Sequence, residues 1–260
     1  YIAVNSKSNL FPEFYKNGLL YASTEKKEKP TFFYCDLNSP AIKIKNTSKI
    51  QLGSVATFND EIYFTGYNKN SSNGSYNYAI YKAKLNDFKV SKSKQLKICN
   101  KEYNYADPAI SKNGKQLLVV SNEKGFPHIL KLSRANDDEW SKSEIVFISQ
   151  PGFTILNPYF FDENTIYFSY DFGEVKISHV NAEKEQGKLK INEIHYDPKS
   201  SFNIYKITRE NNKWQLPIKV DKLNSEFDDL GVLFSSDTSG FINTFRYNNT
   251  DNIFYFEINK

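Results

Sequence analysis

Asp107-Pro108-Ala109-Ile110-Ser111-Lys112-Asn113-Gly114-Lys115-Gln116-Leu117-Leu118-Val119-Val120-Ser121 is the stretch whose reading decides the fold. It reads as a short strand, a tight turn and a second strand. The Asn-Gly pair tolerates the positive φ that a two-residue hairpin turn demands. The unbroken apolar run after it suits a strand packed on both faces. A third strand follows at His128-Ile129-Leu130-Lys131-Leu132, and Trp140 closes the unit.

The same pattern recurs on both sides. Upstream lie Phe11-Pro12-Glu13-Phe14-Tyr15-Lys16-Asn17-Gly18-Leu19-Leu20-Tyr21 and Gly53-Ser54-Val55-Ala56-Thr57-Phe58-Asn59-Asp60-Glu61-Ile62-Tyr63-Phe64. Downstream lie Asn157-Pro158-Tyr159-Phe160-Phe161-Asp162-Glu163-Asn164-Thr165-Ile166-Tyr167-Phe168 and Leu230-Gly231-Val232-Leu233-Phe234. The copies recur at roughly 40–50 residues, the spacing of four-stranded propeller blades. No helical stretch links them, which argues against a parallel α/β arrangement. The pattern predicts an all-β, five-bladed β-propeller forming one domain over residues 1–260. Blades are expected near 9–52, 53–104, 105–153, 154–229 and 230–260 plus 1–8. Their inner strands are expected near Phe14, Val55, Ala109, Tyr159 and Val232.

Two segments stand outside the repeat. Residues 173–200 interrupt the fourth copy with a hairpin-like pair, read as an insertion projecting from one face; a degenerate sixth blade is the competing reading. Tyr1-Ile2-Ala3-Val4-Asn5 is a lone strand expected to complete the last blade, so that both ends of the chain close the ring.

Composition agrees with strands. Eighteen Tyr and 21 Phe make 16% of 260 residues aromatic, with side chains that pack well on a pleated surface. The net charge of +4 comes from 34 basic and 30 acidic residues, mixed along the chain. Lys89, Lys92, Lys94 and Lys97 form the sharpest basic cluster. It reads either as a polyanion patch or as the solvated face of an edge strand; nucleic acid is not expected as a partner. Cys35 and Cys99 read either as a disulfide or as two separate thiols. Two Cys and three scattered His, at 128, 179 and 195, offer no metal spacing, so neither metal nor cofactor is expected. No apolar run approaches the ~18 residues that cross a bilayer. A start at Tyr1 reads as a fragment or a processed form.

The repeat resembles the TolB-type, WD40-like (PD40) β-propeller repeat. Lys112-Asn113-Gly114-Lys115 stands where that family has Pro-Asp-Gly-Lys. Ile204-Tyr205, Trp214-Gln215-Leu216-Pro217 and Leu223-Asn224-Ser225-Glu226-Phe227-Asp228-Asp229-Leu230-Gly231 are similar to the propeller of Bacteroidetes OmpA-family, peptidoglycan-associated proteins, including the PorE type of type IX secretion and gliding machinery. The resemblance implies a periplasmic, outer-membrane-associated module with envelope protein partners. Peptidoglycan binding would belong to a domain absent from this chain.

Catalytic patterns are thin. There is no Gly-x-Ser-x-Gly nucleophile elbow. Ser235-Ser236-Asp237-Thr238-Ser239-Gly240 approaches a sialidase turn, but its Gly is one place late and no Trp follows. Glu13, Asp60, Asp107, Asp162 and Asp228 are the carboxylates whose positions could serve glycoside chemistry. Asp60 and Asp162 fall in expected hairpin turns, where Asp is favoured for backbone reasons. Asp107 and Asp228 are expected at one mouth of the channel, either as functional groups or as turn residues bonding nearby N–H groups. The reading is therefore a non-catalytic interaction module. Its candidate contact residues are Tyr67, Asn70, Asn73, Tyr76, Tyr78, Asp107, Asp228, His179 and His195. A glycan-binding or glycoside-processing propeller is the alternative.

Overall fold

The structure is a computed structural model that describes residues 8–24, 30–36, 39–48, 50–69, 76–136, 139–173, 175–185, 188–198, 201–246 and 250–258. Its only helical turn among these is a short 3-10 segment, Asp221–Leu223. The rest of the regular structure is antiparallel sheet apart from one short parallel pairing.

Five sheets form five blades. Blade 1 runs from its inner strand outward as Ser8–Tyr15, Gly18–Thr24, Thr31–Cys35 and Ile42–Lys43. Blade 2 comprises Val55–Phe58, Glu61–Lys69, Tyr76–Asn86 and Lys94–Gln95. Lys89–Val90 turns back to pair antiparallel with the end of its third strand, and Lys45–Asn46 pairs with Lys89–Val90 in parallel. Blade 3 is Tyr105–Ile110, Gln116–Ser121, His128–Asn136 and Glu139–Ile148. Blade 4 is Ile155–Phe160, Thr165–Tyr170, Asn203–Glu210 and Ile218–Lys219. Blade 5 has three described strands, Asp229–Phe234, Ser239–Thr244 and Asn252–Glu257. The expected closing strand at 1–5 lies outside the described residues.

Between the second and third strands of blade 4, Val175–Glu185 and Lys188–Pro198 pair only with each other. This two-stranded sheet is an insertion, not a sixth blade. The insertion leaves the second strand where that strand ends, which is the end of the blade at which the inner strand begins.

Each blade buries both faces against its neighbours. Tyr63 and Phe64 of blade 2, Leu117 and Leu132 of blade 3, and Leu20 of blade 1 share one core. Leu118 and Ile129 carry the other face of blade 3 against Phe160, Ile166 and Phe168 of blade 4. Ile204 packs the far side of blade 4 against Val232, Phe234 and Ile242. Double-sided burial explains why these strands read as unbroken apolar runs.

The two tryptophans mark one repeated junction. Trp140 meets Tyr63 edge to face at 5.8 Å, with the Arg134 guanidinium 5.1 Å from its ring. Arg134 in turn pairs with Glu61 of blade 2. One blade later, Arg209 lies 5.7 Å from the Trp214 ring and 3.4 Å from Glu144 of blade 3. Gly114 also serves a junction: its φ is +70°, and an added Cβ would stand 2.3 Å from the Phe58 ring of blade 2.

Cys35 and Cys99 are separate free thiols. Lys89 and Lys94 lie on short outer strands of blade 2 and Lys92 and Lys97 in the loops beside them, and all four are exposed.

Candidate functional site

Four of the five inner strands share a local irregularity that shapes the channel. Phe11, Asp107 and Asn157 have φ of 56°, 50° and 46°, and each precedes a proline. Strand pairing slips there, between Leu10 and Glu13, Ala106 and Ala109, and Leu156 and Tyr159. Blade 5 slips between Asp229 and Gly231. A bulge re-aims the side chains beside it.

The re-aimed side chains join the blades into a belt around the axis. Glu13 Oε1 of blade 1 accepts from the Thr57 N–H of blade 2 at 2.9 Å. The Ser54 hydroxyl of blade 2 donates to Asp107 Oδ1 of blade 3 at 2.7 Å. Asp107 Oδ2 accepts from the Asn157 N–H of blade 4 at 3.2 Å, and Asn157 Nδ2 donates to the Leu230 carbonyl of blade 5. Asn243 of blade 5 returns to blade 1, donating to the Asn9 carbonyl at 3.2 Å. Asn9 Nδ2 donates to Asn252 Oδ1 at 3.0 Å. All five junctions are thus bridged near the axis.

Both belt carboxyls are held above their ordinary values by burial. Glu13 is pushed up to about 8 against the lowering effect of the Thr57 bonds. Asp107 is raised against the lowering effects of Ser54 and Asn157. Glu13 is walled by protein on all sides yet keeps some accessible surface, and that surface opens onto the channel. The channel narrows to about 60 Å³ at Glu13, Asp107 and Tyr159. On the side where the inner strands end it widens to a recess of about 870 Å³.

The opposite face, where the inner strands begin, collects exposed aromatic rings. Tyr67 and Tyr78 are cross-strand neighbours with ring centroids 5.0 Å apart, and they are 51% and 41% exposed. Asn104 Oδ1 accepts from the Tyr78 N–H at 2.9 Å and ties this hairpin to the strand leading into blade 3. Tyr103, Phe126, Phe172 and Phe227 are exposed on loops at the same end of their blades. The inserted hairpin leaves this face too, with Val180 and Leu189 exposed.

Asp228 lies on this face half-buried, its Oδ1 accepting from the Phe202 N–H at 2.8 Å. Its charge adds to burial in raising Asp171 and in pushing Asp251 up to about 6. Among the described residues, no group of three or more His, Cys, Asp or Glu could hold a metal ion.

The structure therefore divides the residues singled out from sequence. Tyr67 and Tyr78 come together on the exposed face. Tyr76 opens the third strand of blade 2, while Asn70 and Asn73 lie outside the described residues. His179 and His195 are directly paired positions on the backbone of the inserted hairpin. Asp107 is withdrawn into the channel wall and Asp228 remains at the other mouth. Sequence reasoning passed over Asn9, Asn157 and Asn243, because an asparagine before a proline or inside a strand carries no motif. The residue-Pro pair repeated in three of the five inner strands was the available signal.

No protein-family model matches the chain, and no curated protein does. Solved structures do. An endo-arabinase from Bacteroides thetaiotaomicron aligns over 100% of this chain and 97% of its own, with 13% identity and a TM-score of 0.60. The GH32 β-fructofuranosidase BmSUC1 of Bombyx mori aligns over 91% of this chain, with 12% identity and a TM-score of 0.56. TolB from Acinetobacter baumannii aligns over 98% of this chain, with 13% identity and a TM-score of 0.50. The likeness is one of fold. The chain spans little more than half the length of the fructofuranosidase (54%) and of TolB (55%). These neighbours include enzymes and TolB alike, so the fold by itself does not select a chemistry.

Proposed function

We propose that this chain is a non-catalytic docking propeller that presents the face where its inner strands begin to a protein partner. One observation carries this reading: exposed Tyr67, Tyr78, Tyr103, Phe126, Phe172 and Phe227 share that face with the inserted hairpin. Exposed aromatic residues on a rigid frame make large contacts at low entropic cost. The sequence resemblance supports reading the module as a periplasmic one, serving an outer-membrane assembly of the type IX secretion or gliding kind. Peptidoglycan would be reached only through another domain. Capture from envelope extract with the intact chain, and with residues 175–198 replaced by a short Gly-Ser link, tests it. The docking reading expects partners to be lost with the hairpin; equal recovery would refute it.

A second reading, glycoside processing, is favoured by Glu13 and Asp107 lining one narrow waist. It is opposed by their engagement: Asp107 is bonded through both oxygens to other blades, and Glu13 through Oε1. Release of sugar from a polysaccharide by the intact chain, abolished by Glu13→Gln, would establish it over the docking reading.

A further inference from the structure

The recess of about 870 Å³ at the mouth where the inner strands end has no part in the docking face. Its volume lies within the range of ligand pockets, ~300–1,000 Å³. The floor is made of polar groups on two inner strands. The Glu13 carboxyl stands there with its residual surface toward the space, and the Tyr159 hydroxyl stands across from it, donating to the Phe234 carbonyl at 3.2 Å. The walls carry rings that keep accessible surface, Phe14 and Phe58 among them. Charge is confined to the rim. Lys16 and Lys112 are exposed there, and so is Asp87; Asp60 is engaged by Lys84 at 3.1 Å.

That distribution selects against charged ligands. An anion reaching the floor would find no cation below the exposed lysines of the rim. A cation would have to displace the proton from Glu13, whose carboxyl burial keeps neutral up to about pH 8. A neutral carboxyl donates one hydrogen bond and accepts others. Partly exposed rings beside such a group offer an apolar platform to the C–H face of a ring that is hydroxylated at its edges.

We infer that this recess binds a neutral polyhydroxylated ring, the size of one or two sugar units, with Glu13 donating to a ligand hydroxyl and Phe14 and Phe58 flanking it. The inference is independent of the docking reading. It shares with the glycan reading only the ligand class, because binding here requires no bond cleavage.

The test is an amide NMR titration of the intact chain with D-glucose, D-galactose, D-mannose and L-arabinose, and with phosphate and ethylamine as charged probes. The inference expects saturable shifts at Thr57 and Tyr159 with at least one sugar and none with the charged probes. Affinity should fall about tenfold or more in Glu13→Ala, the loss of one buried hydrogen bond. It should also weaken between pH 6 and pH 9 in the wild type, and become independent of pH in Glu13→Gln, which keeps the Thr57 bond and folds where the alanine variant fails. No saturable shift with any sugar, tighter binding of ethylamine than of sugars, or affinity that rises with pH would each overturn it.

Discussion

Asp107 and Asn157 occupy equivalent bulges on neighbouring inner strands, and the carboxylate of one accepts from the backbone N–H of the other at 3.2 Å. A residue that looked from sequence like a channel-mouth carboxylate thus works as a joint between blades. Its chemistry follows from its place: burial raises its carboxyl above the ordinary value, while both oxygens accept bonds from the flanking blades.

Asp107→Asn keeps the shape of the side chain and one acceptor oxygen, and should lower the urea midpoint less than Asp107→Ala does. Asp107→Ala leaves the Asn157 N–H without its acceptor and the Ser54 hydroxyl with Thr65 as its remaining partner. The expected loss is about 1–3 kcal/mol, mainly from the buried N–H left unsatisfied. Equal midpoints for the alanine variant and the wild type would show that the belt does not hold the blades.

The closing junction rests on Asn9, which is buried and joined to both Asn252 and Asn243 of blade 5. Asn9→Ala should lower stability by about 1–3 kcal/mol, and hydrogen exchange should quicken first in blades 1 and 5. Uniform exchange across all blades would place the weak seam elsewhere.

Glu13 sets a pH dependence. Its folded value is about 8 and its ordinary value 4.5. Between these pH values the unfolded chain has lost the proton that the folded chain retains. Stability contributed by this group therefore falls as pH rises through that window and levels above about 8. The slope is at most about 1.4 kcal/mol per pH unit. Glu13→Gln should remove the slope, so its melting temperature should gain on the wild type as pH is raised from 5 to 8. Parallel pH curves for the two would contradict this.

Gly114→Ala forces a side chain into a φ of +70° and drives its Cβ against Phe58. The expected cost is about 1–3 kcal/mol, for strain and overpacking together. Adding Phe58→Leu should recover part of it, because the collision is with the ring; a fully additive pair would argue for strain alone.

Much of the fold was legible because its cause is local and repeated. Asn113-Gly114 announces a turn, Ile62-Tyr63-Phe64 and Ile166-Tyr167-Phe168 announce strands buried on both sides, and the period between copies announces blades. The inserted hairpin showed itself as a break in that period. The belt was not legible, because its bonds join Asn9 to Asn252 and Ser54 to Asp107, pairs whose distance along the chain hides their proximity. Tyr67 and Tyr78 were found as an aromatic loop, but their alignment with Phe172 and Phe227 needed the strand directions. Glu13 looked like one of several equivalent acids until the bulge beside Pro12 turned it toward the channel.

Site-directed photo-crosslinking by face tests the docking account most directly. A benzophenone side chain placed at position 172 or 227 reports on the face where the inner strands begin, and one placed at position 14 or 112 reports on the opposite mouth. The account predicts that, in living cells, adducts with one envelope protein form from 172 and 227 and disappear when residues 175–198 are removed. Adducts formed only from 14 and 112, or unchanged by that removal, would contradict it.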